Sequence, residues 1–162
     1  MAMYKQPTKL TVLCTVEEPW CAAQTAAFES ETGIPTEFVR LSGGEALTEL
    51  KNTKDKPGFS VWWGGSADGY VAAQADGLLE PYKSPNAAKV PADSKDKNGN
   101  WTGIYVGALG FCSNKVKLAE AGVAAPRSWK ALLNPALAGQ VSLAHPATSG
   151  TAFTALWPLM TL

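Results

Sequence analysis

Three short turns carry the residues whose types and spacing best suit ligand chemistry. They are Ser-Gly-Gly at 42–44, Gly-Gly-Ser at 64–66 and Ser-Gly-Thr at 149–151. Each precedes a segment predicted to be helical, and a helix N-terminus presents unpaired N–H groups and a partial positive charge. Glycine admits a ligand to that backbone, and the hydroxyls add donors. The turns therefore predict binding of an anion, although each alone is also typical of an ordinary helix cap.

Alternating strand and helix patterns must position the first two turns. Strands are predicted at 9–14, 36–40 and 59–63, each followed by a helical segment. This order predicts βαβ units, a mostly parallel sheet and the α/β fold class. Because ligands of open α/β sheets bind at the carboxyl ends of the strands, we expect these turns to share one edge.

The second part of the sequence has a different organisation. Residues 80–100 are rich in Pro, Lys and Asp and predict an extended surface connection. A long, glycine-interrupted strand is predicted at 101–114, as a crossing between two lobes, and another strand at 140–144. Short helices are predicted after Asn114 and Ser128, and a last helix from 148 is expected to be interrupted at Pro158.

The sequence gives little support for a catalytic site. Glu17 and Glu18 follow the first strand and would suit a cationic group or a metal, but a solvated acidic pair near a helix start is the favoured interpretation. His145, the single histidine, precedes Pro146 and is interpreted as a loop residue, since nothing nearby resembles a nucleophile elbow. We expect no enzyme activity, no cofactor and no metal site.

Cysteines and tryptophans leave alternatives open. Cys14, Cys21 and Cys112 match no zinc-site spacing. The favoured interpretation is that Cys14 and Cys112 are free and buried in strands, while a Cys14–Cys21 or Cys14–Cys112 disulfide is the alternative in an exported protein. Trp20, Trp62 and Trp63 lie near predicted loop mouths, where they would either wall a cleft or pack in the core.

Charge and hydropathy exclude several partners. Lys plus Arg and Asp plus Glu number 14 each, which argues against a nucleic-acid partner. No apolar run is long enough for a membrane helix. Residues 1–7 lack the apolar core of a signal peptide, so no leader is predicted within this sequence.

Six segments follow one another along the chain in a distinctive order. They are 28–34 (Phe-Glu-Ser-Glu-Thr-Gly-Ile), 63–68 (Trp-Gly-Gly-Ser-Ala-Asp), 77–82 (Gly-Leu-Leu-Glu-Pro-Tyr), 101–105 (Trp-Thr-Gly-Ile-Tyr), 126–133 (Pro-Arg-Ser-Trp-Lys-Ala-Leu-Leu) and 146–151 (Pro-Ala-Thr-Ser-Gly-Thr). The ordered set resembles family 1 extracellular solute-binding proteins, and within them the ferric-iron, phosphonate and sugar-phosphate branch. The resemblance extends over nearly the whole chain.

The resemblance implies a periplasmic-binding-protein type II-like fold in which two α/β lobes close on a solute. It implies delivery of that solute to an ABC permease, and a periplasmic or extracellular location. Relatives have roughly two ordinary domains' worth of residues, so this chain is expected to hold most of lobe 1, at 1–105. Residues 106–162 would then hold the crossing strand and the start of lobe 2.

The resemblance also assigns the site. In this branch the Ser-Gly-Thr turn of lobe 2 typically holds a phosphate, a phosphonate or a synergistic anion, in agreement with the helix-terminus argument. The expected ligand contacts are Thr15, Ser42, Gly43, Gly65, Ser66, Ser149, Gly150 and Thr151. Ferric-binding members place a carboxylate in the turn after the third strand, where this sequence has Gly64 and Gly65, so iron is the lesser alternative.

The main alternative is that the chain is a truncated remnant of such a protein with a different function. Incomplete lobes would leave sheet edges and apolar faces exposed, and such edges pair with other chains. We therefore expect a homo-oligomer, by exchange of the segment after Trp101. In that reading the chain is an interaction or structural protein without ligand affinity.

Overall fold

The structure is a computed structural model that describes residues 9–161. Residues 1–7, for which no signal peptide is predicted, and Leu162 lie outside this range. Within it the chain forms three strands, five α-helices and four short 3₁₀ turns. The strands are β1 (Leu10–Cys14), β2 (Thr36–Arg40) and β3 (Val61–Trp63). The α-helices are α1 (Glu18–Thr32), α2 (Gly43–Asn52), α3 (Ala67–Ala75), α4 (Lys115–Glu120) and α5 (Gly150–Thr161). The 3₁₀ turns are Ala87–Lys89, Ala92–Ser94, Lys130–Leu133 and Pro135–Leu137.

The three strands form one parallel sheet in the order β2-β1-β3. The last residue of the central strand, Cys14, lies opposite Arg40 on one side and Trp63 on the other. The three strands thus end at one edge. The prediction of an α/β protein with a parallel sheet is confirmed.

Local signals set the bounds of the first two helices. Pro19 lies in the first turn of α1, where its missing N–H costs nothing. Gly33 ends α1 with φ of 68° and donates its N–H to the Glu29 carbonyl. Glu45, in the first turn of α2, accepts the backbone N–H of Ser42, which is half of a capping box.

The core lies between the central strand and the helices around it. Leu13 and Cys14 are fully buried, and Cys21 is 1 % exposed. Cys14 and Cys21 form a disulfide, because α1 turns back over the end of β1 and places the two Cα atoms 6.1 Å apart. The favoured interpretation of Cys14 as a free thiol is therefore wrong. So is that of Cys112 as buried, since it is free and exposed in a segment outside the sheet.

The strands predicted at 101–114 and 140–144 are wrong for the described residues. The extended chain there makes one isolated bridge, between Lys95 and Thr102, and the Gly103 N–H donates to the Ser94 carbonyl. A strand requires a partner for its backbone groups, and no described residue makes a backbone–backbone hydrogen bond to 104–113. Val106 is accordingly 91 % exposed.

The last helix also differs from its prediction, because α5 continues through Pro158 to Thr161. Proline removes one backbone donor. The Thr161 hydroxyl donates to the carbonyls of Trp157 and Pro158, at 3.1 and 3.3 Å, and so satisfies acceptors of the last turn. Among the helices that the structure describes, none has the length and apolarity needed to cross a bilayer.

Candidate functional site

A cleft of about 1420 Å³ includes the carboxyl edge of the sheet and extends to the C-terminal end of α2. It is bounded by the loops that follow β1, β2 and β3 and by the first residues of α2, α3 and α5. Each expected ligand contact lines it: Thr15, Ser42, Gly43, Gly65, Ser66, Ser149, Gly150 and Thr151. The structure therefore brings the three turns of the sequence argument together in one place.

The starts of α2, α3 and α5 touch one another through glycines. A Cβ on Gly150 would lie 2.5 Å from the Ser66 hydroxyl oxygen, and a Cβ on Gly43 would lie 3.8 Å from the Gly150 nitrogen. A Cβ on Gly44 would overlap the carbonyl oxygen of Ala147. A side chain at position 44 would collide with the backbone and one at position 150 with the Ser66 hydroxyl, so Gly44 and Gly150 permit the close approach that holds the three helix N-termini side by side.

The serine hydroxyls of the turns differ in what they contact. The Ser42 hydroxyl donates to the Glu45 carboxylate at 2.6 Å, and hydrogen bonds from Ser42 hold the pKa of Glu45 below its usual value. The Ser149 oxygen accepts the Ala152 N–H at 3.2 Å and keeps its own proton for another acceptor. Within residues 9–161 the Ser66 hydroxyl makes no hydrogen bond. Ser149 and Ser66 are thus the hydroxyls best placed to donate to an anion.

Thr15 supports the turn after β3. Its hydroxyl donates to the Gly64 carbonyl at 2.5 Å and accepts the indole N–H of Trp62 at 3.2 Å. The Tyr70 hydroxyl also donates to the Gly64 carbonyl, at 2.6 Å. Gly64 and Gly65 have φ of 85° and 91°, which disfavours other residues. Thr15 lines the cleft, but in this arrangement its single proton is already donated.

Tyr70 is the ionisable group most affected by its surroundings. Its ring stacks on Trp62 with ring centroids 4.2 Å apart. Burial, and secondarily the neighbouring Tyr105, raise the pKa of Tyr70 well above its usual value. Its hydroxyl therefore stays protonated and keeps its hydrogen bond to the turn.

Aromatic side chains form one wall of the cleft. Trp20 packs on the edge of Trp63, with ring centroids 5.1 Å apart, and against Tyr105 at 5.2 Å. The Tyr105 hydroxyl accepts the Gly65 N–H at 3.1 Å and reaches the Gly65 carbonyl at 3.3 Å. Trp20 and Trp63 line the cleft as well as packing together. Tyr105 was not among the expected site residues, although it ends the 101–105 segment.

Charged groups around the cleft have both signs. Arg40 and Lys54 are the cations that line it, and Glu17, Glu80 and Asp93 are the acids. Arg40 is also a residue that the sequence argument missed, although its position at the end of the predicted strand 36–40, two residues before the Ser-Gly-Gly turn, was a usable signal.

His145 has a structural role beside the cleft. Its Nδ1 accepts the Ala147 N–H at 3.1 Å, and its carbonyl accepts the N–H groups of Thr148 and Ser149. These bonds shape the turn that leads into α5. The interpretation of His145 as a loop residue agrees with these contacts.

Metal-ligating side chains are scattered. Across residues 9–161 no three His, Cys, Asp or Glu side chains lie close enough together to hold a metal ion. The donors that converge on the cleft are backbone N–H groups, hydroxyls and a guanidinium, all of which suit an anion.

Residues 68–160 match the family model described as bacterial extracellular solute-binding protein. An uncharacterized protein of Haemophilus influenzae is 35% identical over 153 residues, which cover 91% of this chain and 44% of that protein. The chain thus spans somewhat less than half the length of this curated relative.

Solved structures show the same relationship. The periplasmic binding protein AfuA from Actinobacillus pleuropneumoniae, with exogenous fructose-6-phosphate bound, has a TM-score of 0.86 and 32% identity over 91% of this chain and 48% of its own. The periplasmic binding protein P5PA has a TM-score of 0.89 and 36% identity over 96% of this chain and 51% of its own. Iron-bound HitA from Pseudomonas aeruginosa, at 21% identity and a TM-score of 0.58, shares the fold over 60% of this chain and 32% of its own.

Proposed function

Because the chain belongs to the family of bacterial extracellular solute-binding proteins, we propose that it forms part of the solute-capturing component of an ABC importer. The solute is a small anion, held at the carboxyl edge of the sheet. The observation that carries this proposal is the convergence of the first residues of α2, α3 and α5 on one cleft. Each N-terminus contributes N–H donors and partial positive charge.

The class of anion follows from the other walls of the cleft. Trp20 and Tyr105 line the same cleft as Ser66 and Gly150, and the Tyr105 hydroxyl contacts the neighbouring Gly65. A sugar phosphate has both an anionic group and a ring with apolar faces, so it fits better than inorganic phosphate or a simple phosphonate. AfuA, which is 32% identical, has fructose-6-phosphate bound.

Location and partners follow from the same family. We propose a periplasmic location and an ABC permease as the receiving partner. The buried Cys14–Cys21 disulfide supports the location, because disulfides persist in oxidising compartments. The division into lobes at residue 105 stays a prediction, and α5 would belong to the second lobe.

A thermal-shift screen tests the anion proposal. The probes are inorganic phosphate, methylphosphonate, fructose 6-phosphate, sulfate and ferric citrate, with the wild type, Ser149→Ala and Ser142→Ala. A ligand at about 100 times its Kd adds about 2.7 kcal/mol of stability, which is a rise of several degrees in Tm. We expect fructose 6-phosphate to raise the Tm of the wild type and of Ser142→Ala, an exposed serine outside the cleft.

The Ser149→Ala variant shows whether the ligand binds at the start of α5, since a site there predicts a smaller rise in Tm for that variant. Equal rises in all three proteins contradict a site at this turn. A rise with ferric citrate but with none of the phosphates would favour the lesser alternative, iron binding.

Self-association is a second candidate function, favoured by the apolar side chains of the later half. Val106, Leu133 and Met160 are 91, 80 and 79 % exposed. We propose a second copy of the chain as the group that covers them, because large apolar side chains this exposed favour association in water. Sedimentation velocity from about 1 to 100 μM tests this: a concentration-dependent dimer is expected, and a monomer throughout contradicts it.

A further inference from the structure

We propose that Arg40 binds the anionic group of the solute and that the Cys14–Cys21 loop positions it through the Val16 carbonyl. This inference rests on the proposed function. Arg40 is not among the residues that the three turns predict, and it adds to the cleft a donor of a different kind.

Arg40 stands at the sheet edge where the helix N-termini meet. It is the last residue of β2 and pairs with Cys14, the last residue of the central strand. Only Leu41 separates it from Ser42, which precedes the first residue of α2. Arg40 lines the same cleft as Gly150. An anion held at the start of α2 is therefore within reach of the guanidinium.

The guanidinium is partly fixed and partly available. Its Nε donates to the Val16 carbonyl at 3.2 Å, which restrains an otherwise exposed side chain at the cleft. Within residues 9–161 its Nη groups donate to no acceptor, and the ion pairs of that range, Lys9–Glu37 and Lys51–Asp76, do not involve it. A guanidinium with free Nη donors presents a planar fork that matches a phosphate or carboxylate.

The other cation that lines the cleft is placed differently. Lys54 follows the C-terminal end of α2, and its ammonium donates to the Asp76 carbonyl at 3.2 Å. A ten-residue helix is about 15 Å long, so Lys54 is about that far from the helix start. Lys54 thus serves as a matched control: it carries the same charge and lines the same cleft, but it lies at the wrong end of α2.

Two contacts hold the Val16 carbonyl in place. Val16 lies in the loop that the Cys14–Cys21 disulfide closes, and both cysteines are buried. Its side chain packs under Gly64, where an added Cβ would lie 2.5 Å from Val16 Cγ1. Loss of the disulfide would release the carbonyl that orients Arg40 without removing any donor from the cleft.

Isothermal titration calorimetry with inorganic phosphate and fructose 6-phosphate tests the role of Arg40. The proteins are the wild type, Arg40→Gln, Arg40→Lys and Lys54→Gln, each checked for folding by circular dichroism. Hydrogen bonds to charged groups are worth enough to predict a loss of about tenfold or more in affinity for Arg40→Gln. Arg40→Lys is expected to recover only part of it, because an ammonium lacks the fork. Lys54→Gln is expected to stay within about twofold, as an exposed charge distant from the ligand.

The positioning role has its own test, a double-mutant cycle. Cys14→Ala/Cys21→Ala is expected to weaken binding several-fold in the wild-type background, and to add little in the Arg40→Gln background. Losses that simply add would contradict positioning through Arg40. If the cysteine variant does not fold, Val16 packing is tested by Gly64→Ala in the same two backgrounds.

The outcomes separate this inference from the proposed function. If the wild type binds a probe and Arg40→Gln binds it equally well, the inference is wrong and the proposed function stands. If the wild type binds neither probe, the proposed function and the inference fall together.

Discussion

The chain has two regions that differ in how completely they bury their own apolar side chains and pair their own backbone groups. The sheet half, residues 9–103, contains the three strands, the disulfide and the fully buried Leu13. The open half, residues 104–161, has helices but no strand, and its buried apolar side chains are Leu137, Ala152 and Ala155. Strands and cores need partners that are distant along the chain, whereas a capped helix start needs only its own turn.

That difference explains how the cleft forms at the junction of the two halves. Two of the three helix starts belong to the sheet half, and the third, at α5, comes from the open half. The Gly44 N–H reaches the Thr148 carbonyl at 3.5 Å, so the turn before α5 docks directly on α2. The open half therefore contributes to the cleft through local geometry, although most of its apolar surface is uncovered within the described range.

The largest expected effect is on stability, and a matched pair of leucine truncations compares the two halves. Leu13→Ala removes a fully buried side chain and is expected to cost about 3 kcal/mol in the free energy of unfolding. Leu133→Ala, at an 80 % exposed position, is expected to change it by less than about 0.5 kcal/mol. Urea denaturation followed by tryptophan fluorescence measures both. Equal costs would mean that Leu133 is covered in solution, as in the proposed self-association.

Loss of the disulfide is expected to weaken the sheet half next. Closing a loop between residues seven apart in sequence limits the unfolded chain and is worth about 2.5 kcal/mol in the entropy model. We expect Cys14→Ala/Cys21→Ala to lower the free energy of unfolding by this order. Cys112→Ala, at the free and exposed cysteine of the open half, is the control and is expected to be nearly neutral. A neutral double variant would contradict a stabilising disulfide.

Docking of α5 on α2 is tested by a pair of adjacent glycines. Gly44→Ala would drive a methyl group into the Ala147 carbonyl, whereas Gly43→Ala meets only ordinary contacts near Gly150. Forcing atoms into a packed site costs roughly 1–3 kcal/mol, and we expect Gly44→Ala to lose about 2 kcal/mol or to separate the two turns. Limited proteolysis between 140 and 150, compared for the two variants, detects such separation. Identical patterns would show that the docking is not maintained in solution.

The smallest expected effect concerns pH in the sheet half. The raised pKa of Tyr70 means that the folded state retains a proton that the unfolded state loses as the pH rises above about 10. The contribution is thus fully present below pH 10 and is lost as the pH increases, by about 1 kcal/mol at pH 10.5. Tyr70→Phe should lack this loss, whereas Tyr82→Phe, at a 70 % exposed tyrosine, should keep it. Parallel pH dependences for wild type and Tyr70→Phe would contradict the assignment.

Much of the sheet half could be predicted because its signals are local. The strand at 36–40 and the cap at Ser42 depend on neighbouring residues, and each has the predicted bounds to within a few residues. The family and the fold class followed from the order of such segments.

The rest depends on contacts that no local pattern contains. The strand predicted at 101–114 has β-rich composition but no partner strand within the described residues. The pairing of Cys14 with Cys21 depends on α1 turning back over β1. The positions of Arg40 and Tyr105 in the cleft depend on which loops meet, since Arg40 contacts Val16 and Tyr105 contacts Gly65.

The most direct test of the anion cleft is an NMR titration of the ¹⁵N-labelled protein with fructose 6-phosphate. The amides to follow are those of Gly43, Gly150 and Thr151, which start α2 and α5 side by side in the cleft. The account predicts that all three shift together and saturate with one common Kd. The account would be contradicted if saturable shifts occurred only at other residues. It would also be contradicted if no residue showed a saturable shift and these three amides stayed unchanged.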